Sequence, residues 1–364
     1  MAESLVAVHS TDPSSVYLTL LARMAGGGLA DVEQALYEDK MLIRLLGMRR
    51  TVFVTTLGIA PVIQAACSRA VAANERRKLL GYLAESGVGD DDVEGWLAGA
   101  EQAALAALVA RGEATAAELA SDDARLRVQI TLSRGKSYEG KQNVASRVLL
   151  LLAAEGRVVR ARPRGSWTSH QYRWAPLAPW CPHGLDGWTT EAAEVELARR
   201  WLDAYGPATP EDLRWWAGWT KTQVRRALTE LKPAEVDLYG VPGIALPGDL
   251  EPPPAVPPWA ALLPALDSTP MGWQQRDWFL GEHASRLFDR NGNVGPTLWW
   301  DGRIVGGWAQ DRDGQIVCRF LEDAGSEAVT AAGVAARRLA GILGPVRLTA
   351  RTRGMTWLEQ ELNG

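Results

Sequence analysis

The chain has 364 residues, 47% hydrophobic and 23% charged, with a formal net charge of −4, ordinary values for a water-soluble protein of roughly two to four domains. No apolar run reaches the length of a membrane span, and the N-terminus lacks the charged start and apolar core of a signal peptide. Three widely spaced cysteines, Cys67, Cys181 and Cys318, and four histidines without an HExxH spacing argue against disulfides, a metal centre or any cofactor and point to a reducing cytoplasm.

In chain order, Ala7-Val8-His9-Ser10-Thr11-Asp12-Pro13-Ser14-Ser15 reads as an extended segment entering a helix. Asp12 suits the N-cap and Pro13 the first helical position. Val16, Leu20 and Met24 then form the i, i+4 stripe of a helix from Ser14 to Met24. His9 and Thr11 occupy alternate positions, hence one side of an extended backbone, just before a positive helix end. The residues alone leave two readings: a cap with a satisfied histidine beside it, or a pair of reactive side chains. Leu29 to Tyr37 predicts a second helix and Leu42 to Thr56 strand material. Helices followed by a β-hairpin are the layout of a winged helix, and Ala60 to Ala84 adds an apolar helix.

A second such pattern follows Gly87–Asp92. It comprises a long helix Val93 to Ala110, a short one behind the Thr115 cap, a third from Gln142 to Ala154, and a hairpin from Arg157–Arg162 and Ser169–Trp174. A third begins at Thr189 or Thr190, with a helix to Tyr205. Thr209-Pro210-Glu211-Asp212 is a strong helix start, Thr220 caps a helix to Lys232, and Val236 to Ala245 suggests another wing. After the proline-rich linker around Pro252–Pro258, strand pairs flank the Asp301-Gly302 turn. Strands at Ile316–Leu321 and Val346–Thr352 surround a helix from Ser326 to Leu343, giving a small β-rich terminal domain. The boundaries expected are 1–86, 87–184, 185–250 and 251–364. The 16 tryptophans against 4 phenylalanines fall mostly in helical or strand patterns, so core packing is their default role.

Charge is segregated. From Arg125 to Arg173, eleven Lys or Arg face only Glu139 and Glu155, a local +9 that leaves −13 for the remainder of a chain totalling −4. Such a segment is the footprint of a polyanion-binding face, and three winged helices with one strongly basic point to duplex DNA. Arg162, Arg164 and Trp167 fit a basic wing that contacts the backbone, with Trp167 either inserting into the duplex as a probe or packing its own hairpin. Arg134, Lys136 and Lys141 precede the third helix of that motif and can clamp phosphate; Arg49 and Arg50 can do so on the first wing. His170, His183 and His283 fit structural or solvent roles, and Gln274-Gln275 a surface pair.

The chain also resembles the winged-helix DNA glycosylases of the AlkZ/YcaQ type. The resemblance runs through His9 to Arg23, Met48-Arg49-Arg50-Thr51, Ala198 to Gly218, Leu262 to Asp267 and Pro296 to Trp308. It implies an α+β fold of three tandem winged-helix motifs with a C-terminal β-barrel-like domain. It further implies a monomeric base-excision repair enzyme that removes alkylated purines, including crosslinking adducts, from double-stranded DNA on the nucleoid. Asp267 lies where the resemblance places a polar residue facing the DNA groove. The family signature is Gln-x-Gln or Gln-x-Asp followed by Asp-Pro; here His9-Ser10-Thr11 stands in its place and Asp12-Pro13 is retained.

A histidine there can still serve a monofunctional glycosylase, because an N-alkylpurine leaves readily and needs little acid catalysis. Neutral imidazole can take a proton from the attacking water, Thr11 can orient that water, and Asp12 can assist the sugar cation. The second reading is a winged-helix DNA-binding protein, a damage sensor or a regulator, that does not cut. A regulator is expected to dimerise and prefer a sequence.

Overall fold

The computed structural model describes residues 1–137, 139–348 and 354–363. The chain forms two compact units, one built from residues 1–35 and 195–364 and the other from 36–194.

The first unit opens with the short extended segment β1 (Val8–His9) and continues into α1 (Pro13–Arg23) and α2 (Leu29–Glu33), which runs on as a π-helical turn from Gln34 to Glu38. The second unit begins with an antiparallel hairpin of β2 (Leu42–Leu46) and β3 (Val52–Thr56), Leu42 opposite Thr56 and Leu46 opposite Val52. The helices α3 (Ala60–Ile63), α4 (Arg69–Glu85), α5 (Val93–Arg111), α6 (Ala116–Asp122) and α7 (Ala124–Arg127) follow. The hairpin of β4 (Gln129–Leu132) and β5 (Gly140–Asn143) leads into α8 (Val144–Ala154), and that of β6 (Val158–Pro163) and β7 (Tyr172–Pro176) closes the unit. Its core is aliphatic: Leu79, Leu83, Leu97, Leu108, Leu119, Ile130, Val148 and Leu152 are all buried together. With Ala100 and Ala104 added in α5, the buried positions of α4, α5 and α8 recur at three- and four-residue spacing, which is why those helices form and which faces they bury.

The division between units falls within α9 (Thr190–Tyr205). In the first unit, α10 (Pro210–Ala217) and α11 (Lys221–Leu231) each start at a threonine capping box, Thr209 with Asp212 and Thr220 with Gln223, and α10 ends at Gly218 in the left-handed conformation. The hairpin β8 (Ala234–Leu238) and β9 (Val241–Ala245) follows. The chain then builds a four-stranded antiparallel sheet from β10 (Ala260–Leu263), β11 (Thr297–Trp300), β12 (Arg303–Gln310) and β13 (Ile316–Phe320), paired in that order. Between β10 and β11 lie α12 (Asp277–Leu280) and α13 (Ala284–Leu287); α14 (Gly325–Leu343) and α15 (Trp357–Leu362) complete the chain.

Asp301 (φ 45°) and Gly302 (φ 82°) make the β11–β12 turn, both at the positive φ of the turn type that matches strand twist. Gly306 is required where β12 and β13 approach, since a Cβ there would lie 2.0 Å from the Arg319 carbonyl oxygen. The first unit's core is aromatic: Trp201, Tyr205, Trp216, Trp273 and Phe279 contact one another at ring separations of 4.8–6.3 Å in a chain that also takes in Trp278 and Trp299.

Two expectations are corrected here. The C-terminal sheet is open among the described residues, because β10 and β13 are its two edges rather than partners; four strands cannot curl far enough to close on themselves. The strand expected at Val346–Thr352 is not formed at Val346, Arg347 and Leu348. That stretch is instead held by the Gln310 side chain, whose amide donates to Val346 O and whose carbonyl accepts from Leu348 N. Residues 349–352 lie outside the described residues.

Candidate active site

Burial sets the geometry of the His9 segment. His9 keeps 6% of its surface, Ser10 none and Asp12 7%, while Thr11 is half-buried. The imidazole turns back along its own chain, so that Nδ1 accepts the Thr11 amide at 3.4 Å. A neutral ring that accepts at Nδ1 carries its hydrogen on Nε2 and donates from there.

Asp12 occupies the N-cap position of α1 in extended conformation, but its side chain makes no cap hydrogen bond to the first turn. Its Oδ2 accepts from the Ser14 hydroxyl at 2.6 Å and lies 2.9 Å from that of Ser15. It also lines a cleft of about 80 Å³ with Ser14, Pro264, Ala265, Trp308 and Glu359. The carboxylate thus sits at the N-cap position without a side-chain cap bond and borders that cleft.

The start of α1 is clamped to the segment Pro264–Thr269. Ser15 donates to the Ala265 carbonyl at 2.6 Å, and Ser268 donates to the Ala7 carbonyl at 3.1 Å. One turn along α1, Thr19 donates to Asp267 Oδ2 at 2.8 Å. A further turn along, Arg23 meets both Asp267 oxygens, at 2.8 and 2.7 Å, and reaches the Thr269 hydroxyl. Burial acts to lower the Arg23 pKa, and the adjoining Asp267 carboxylate overcomes it, so the net shift is upward. Burial likewise pushes the Tyr205 phenol well above its usual range, and its hydroxyl donates to Leu5 O at 3.0 Å. Residues 15, 19 and 23 share one helical face, so a single docking fixes the segment that carries His9, Thr11 and Asp12. Asp267 is thereby corrected: its side chain is 0% exposed, a buried counter-ion of Arg23 rather than a group facing a groove.

The candidate DNA contacts belong to the second unit and divide by their environment. Arg49 (φ 51°) and Arg50 (φ 58°) sit in the β2–β3 turn. Arg50 is engaged by Glu75 through two hydrogen bonds of 2.7 and 2.8 Å. Arg134, Lys136 and Lys141 are exposed on the β4–β5 hairpin, where Glu139 is tied to the Gly135 amide. Arg164 is exposed at the end of β6, and Arg162 pairs with Glu38 at 2.7 Å while its guanidinium carbon lies 4.8 Å from the Tyr37 ring centre. Trp167 is only 7% exposed and does not stand out as a probe. Gln274 and Gln275 have exposed side chains, as expected, but their amides are pinned by Asp212 Oδ1 at 2.8 and 2.9 Å. His283 pairs with Glu322 at 2.9 Å.

The clamp residues Ser15, Thr19 and Arg23 escaped the sequence reading, although their spacing on one face was visible. Among the described residues, no group of His, Cys, Asp and Glu is arranged to hold a metal ion, and no helix is long and apolar enough to cross a membrane.

No curated protein sequence matches the chain. The AlkZ-like DNA glycosylases match it as a family over residues 2–342. Among solved structures, the Streptomyces sahachiroi DNA glycosylase AlkZ is similar, with a TM-score of 0.71 at 22% identity, over 96% of this chain and 92% of that one. At that identity the likeness establishes a common fold.

Proposed function

The chain belongs to the AlkZ-like DNA glycosylase family, and on that premise we propose that it hydrolyses the N-glycosidic bond of N7- or N3-alkylated purines, including crosslinked ones, in duplex DNA. The observation that carries this reading is the clamped start of α1, where Asp12 borders a cleft with its helix locked by Ser15, Thr19 and Arg23. A site held on a rigid element from several sides is preorganised, and preorganisation lowers a barrier without cost at the moment of reaction.

An alkylated purine leaves as a neutral base, so the enzyme's task is to stabilise the sugar cation and position water. Asp12 supplies negative charge beside the cation and accepts the proton that the water sheds. His9, neutral and donating from Nε2, orients that water together with the Thr11 hydroxyl. Protonated His9 repels the cation, so activity declines in acid. Water as the nucleophile, hence a monofunctional enzyme, is supported by composition: the unit that contains His9 and Asp12 has only two lysines, Lys221 and Lys232, which bracket α11. An imine-forming lyase needs an amine at the sugar.

The exposed cations Arg134, Lys136, Lys141 and Arg164 supply phosphate contacts, in the winged-helix manner suggested by the hairpins that follow α8 and α11. The protein in this reading acts as a cytoplasmic monomer on the nucleoid. The test is single-turnover release of base from duplex DNA carrying 7-methylguanine, with a nitrogen-mustard crosslink in parallel, comparing wild type with His9→Ala. Release that collapses on substitution while DNA affinity holds is the expected result. No release from either substrate, with binding intact, identifies a non-catalytic DNA-binding protein.

A further inference from the structure

The β6–β7 hairpin carries a second feature. Arg160 and Arg162 alternate on β6, Tyr172 and Trp174 alternate on β7, and Arg160 lies directly opposite Trp174. The Arg160 guanidinium carbon is 5.2 Å from the Tyr172 ring centre and 5.3 Å from that of Trp174. Arg44 of β2 lies 5.1 Å from Tyr172 and 5.4 Å from Tyr37, whose hydroxyl accepts from Arg44 Nη1 at 2.6 Å. Arg162 adds the outer contact with Tyr37. Cations and rings therefore alternate through Trp174, Arg160, Tyr172, Arg44, Tyr37 and Arg162.

Arg162 ends this series against the Glu38 carboxylate. Arg160 has no such partner: among the described residues, no oxygen accepts a hydrogen bond from its guanidinium. Its surroundings press against its charge, with burial the larger cause and Arg44 a further one, so that its pKa is lowered despite the opposing influence of the Tyr172 phenol. Two aromatic faces fix the plane of the guanidinium while its edge retains five N–H donors. The residue as a whole is half-buried. A planar fork held this way suits a tetrahedral oxyanion, to which it donates two parallel hydrogen bonds.

We propose that Arg160 binds a phosphodiester of the DNA strand, its guanidinium fixed in advance by Tyr172 and Trp174. The inference rests on the DNA-acting reading given above and deepens it, since it names a contact made before and apart from base release. The phosphate relieves the crowding of like charge at Arg160 and Arg44, and immobilising the fork beforehand removes most of the entropy that an exposed arginine loses on binding.

The test is the salt dependence of binding to an undamaged duplex, for wild type, Arg160→Gln and Arg160→Lys, with thermal unfolding measured alongside. Each phosphate neutralised contributes about −0.9 to the slope of log K against log salt. Arg160→Gln is expected to flatten that slope by about one and to weaken binding ~10-fold at low salt. Arg160→Lys keeps the charge and the slope but loses the stacked fork, and binds several-fold more weakly. A folded Arg160→Gln protein with an unchanged slope assigns Arg160 to packing alone and overturns the proposal. Should Arg160→Gln not fold, undiminished affinity of Arg160→Lys overturns it equally. Wild-type base release is assayed separately, so a failure here is distinguishable from a failure of the glycosylase reading.

Discussion

Arg23 closes on Asp267 with a two-pronged ion pair, Nη1 to Oδ2 at 2.8 Å and Nη2 to Oδ1 at 2.7 Å, across 244 residues of sequence. The Asp267 side chain is 0% and that of Arg23 18% exposed. Removing one partner strands the other charge away from water. Asp267→Asn is therefore expected to lower stability by about 3–5 kcal/mol, read by urea unfolding. Replacing both residues with apolar ones of similar volume should cost far less. A loss below about 1 kcal/mol in the single variant shows that water or a neighbour compensates the stranded charge.

Asp12 and His9 carry the chemistry proposed. Asp12→Asn keeps the shape and the hydroxyl partners Ser14 and Ser15 but removes the charge. It should reduce the single-turnover rate by about 10²–10⁴-fold with DNA affinity unchanged, a loss in the range of a positioned proton-transfer group. His9→Gln retains a donor and should lose less than His9→Ala. Equal losses in the two variants indicate that the ring is needed for more than donating to water.

The Arg50–Glu75 pair predicts a pH dependence. Burial acts to raise the Glu75 pKa, but the hydrogen bonds and charge of Arg50, with help from Lys78, bring it below its ordinary 4.5. A carboxylate depressed in the folded state contributes stability above its unfolded pKa, and that contribution fades as pH falls through the folded value. Wild type should therefore exceed Glu75→Gln in stability near pH 6, and the gap should shrink below about pH 4.5. A gap constant from pH 6 to pH 3 excludes the pair as its source.

Asp212 serves three partners at once. It accepts from the Thr209 amide and hydroxyl through Oδ2, and from the Gln274 and Gln275 amides through Oδ1. Thr209→Ala removes a cap and is expected to cost about 1 kcal/mol. Asp212→Ala leaves those amides without their acceptor and should cost about 2–4 kcal/mol. Hydrogen exchange at Gln274 and Gln275 should quicken in the second variant and not in the first.

What the sequence disclosed follows from distance along the chain. The Thr209-Pro210-Glu211-Asp212 start, the Thr115 and Thr220 caps and the Asp301-Gly302 turn were legible because each is decided within four or five residues. Asp12-Pro13 was legible as a helix start, but the side-chain partners of the aspartate were not. Its side chain answers to Ser14, Ser15 and the cleft rather than to the backbone amides that the local pattern offered. The Asp267 role and the open C-terminal sheet both depend on pairings between segments far apart, for which periodicity carries no signal. Trp167 and Arg160 illustrate the same limit on the basic hairpin: the conspicuous tryptophan is packed away, and the arginine beside the expected ones is the one held between two rings.

The first unit is assembled from two stretches, residues 1–35 and 195–364, with the second unit's 36–194 inserted between them. His9 and Asp12 thus leave the ribosome long before Ala265 and Asp267. At synthesis rates of about 5–20 residues per second, the interval is on the order of 10–50 s. During that time residues 36–194 can fold around their own core, while the α1 face that bears Ser15, Thr19 and Arg23 has nothing to dock on. A chain broken off between residues 177 and 263 would carry the basic hairpins without the segment that clamps α1. The basic hairpins come first in the order of synthesis, and the docking of α1 comes last.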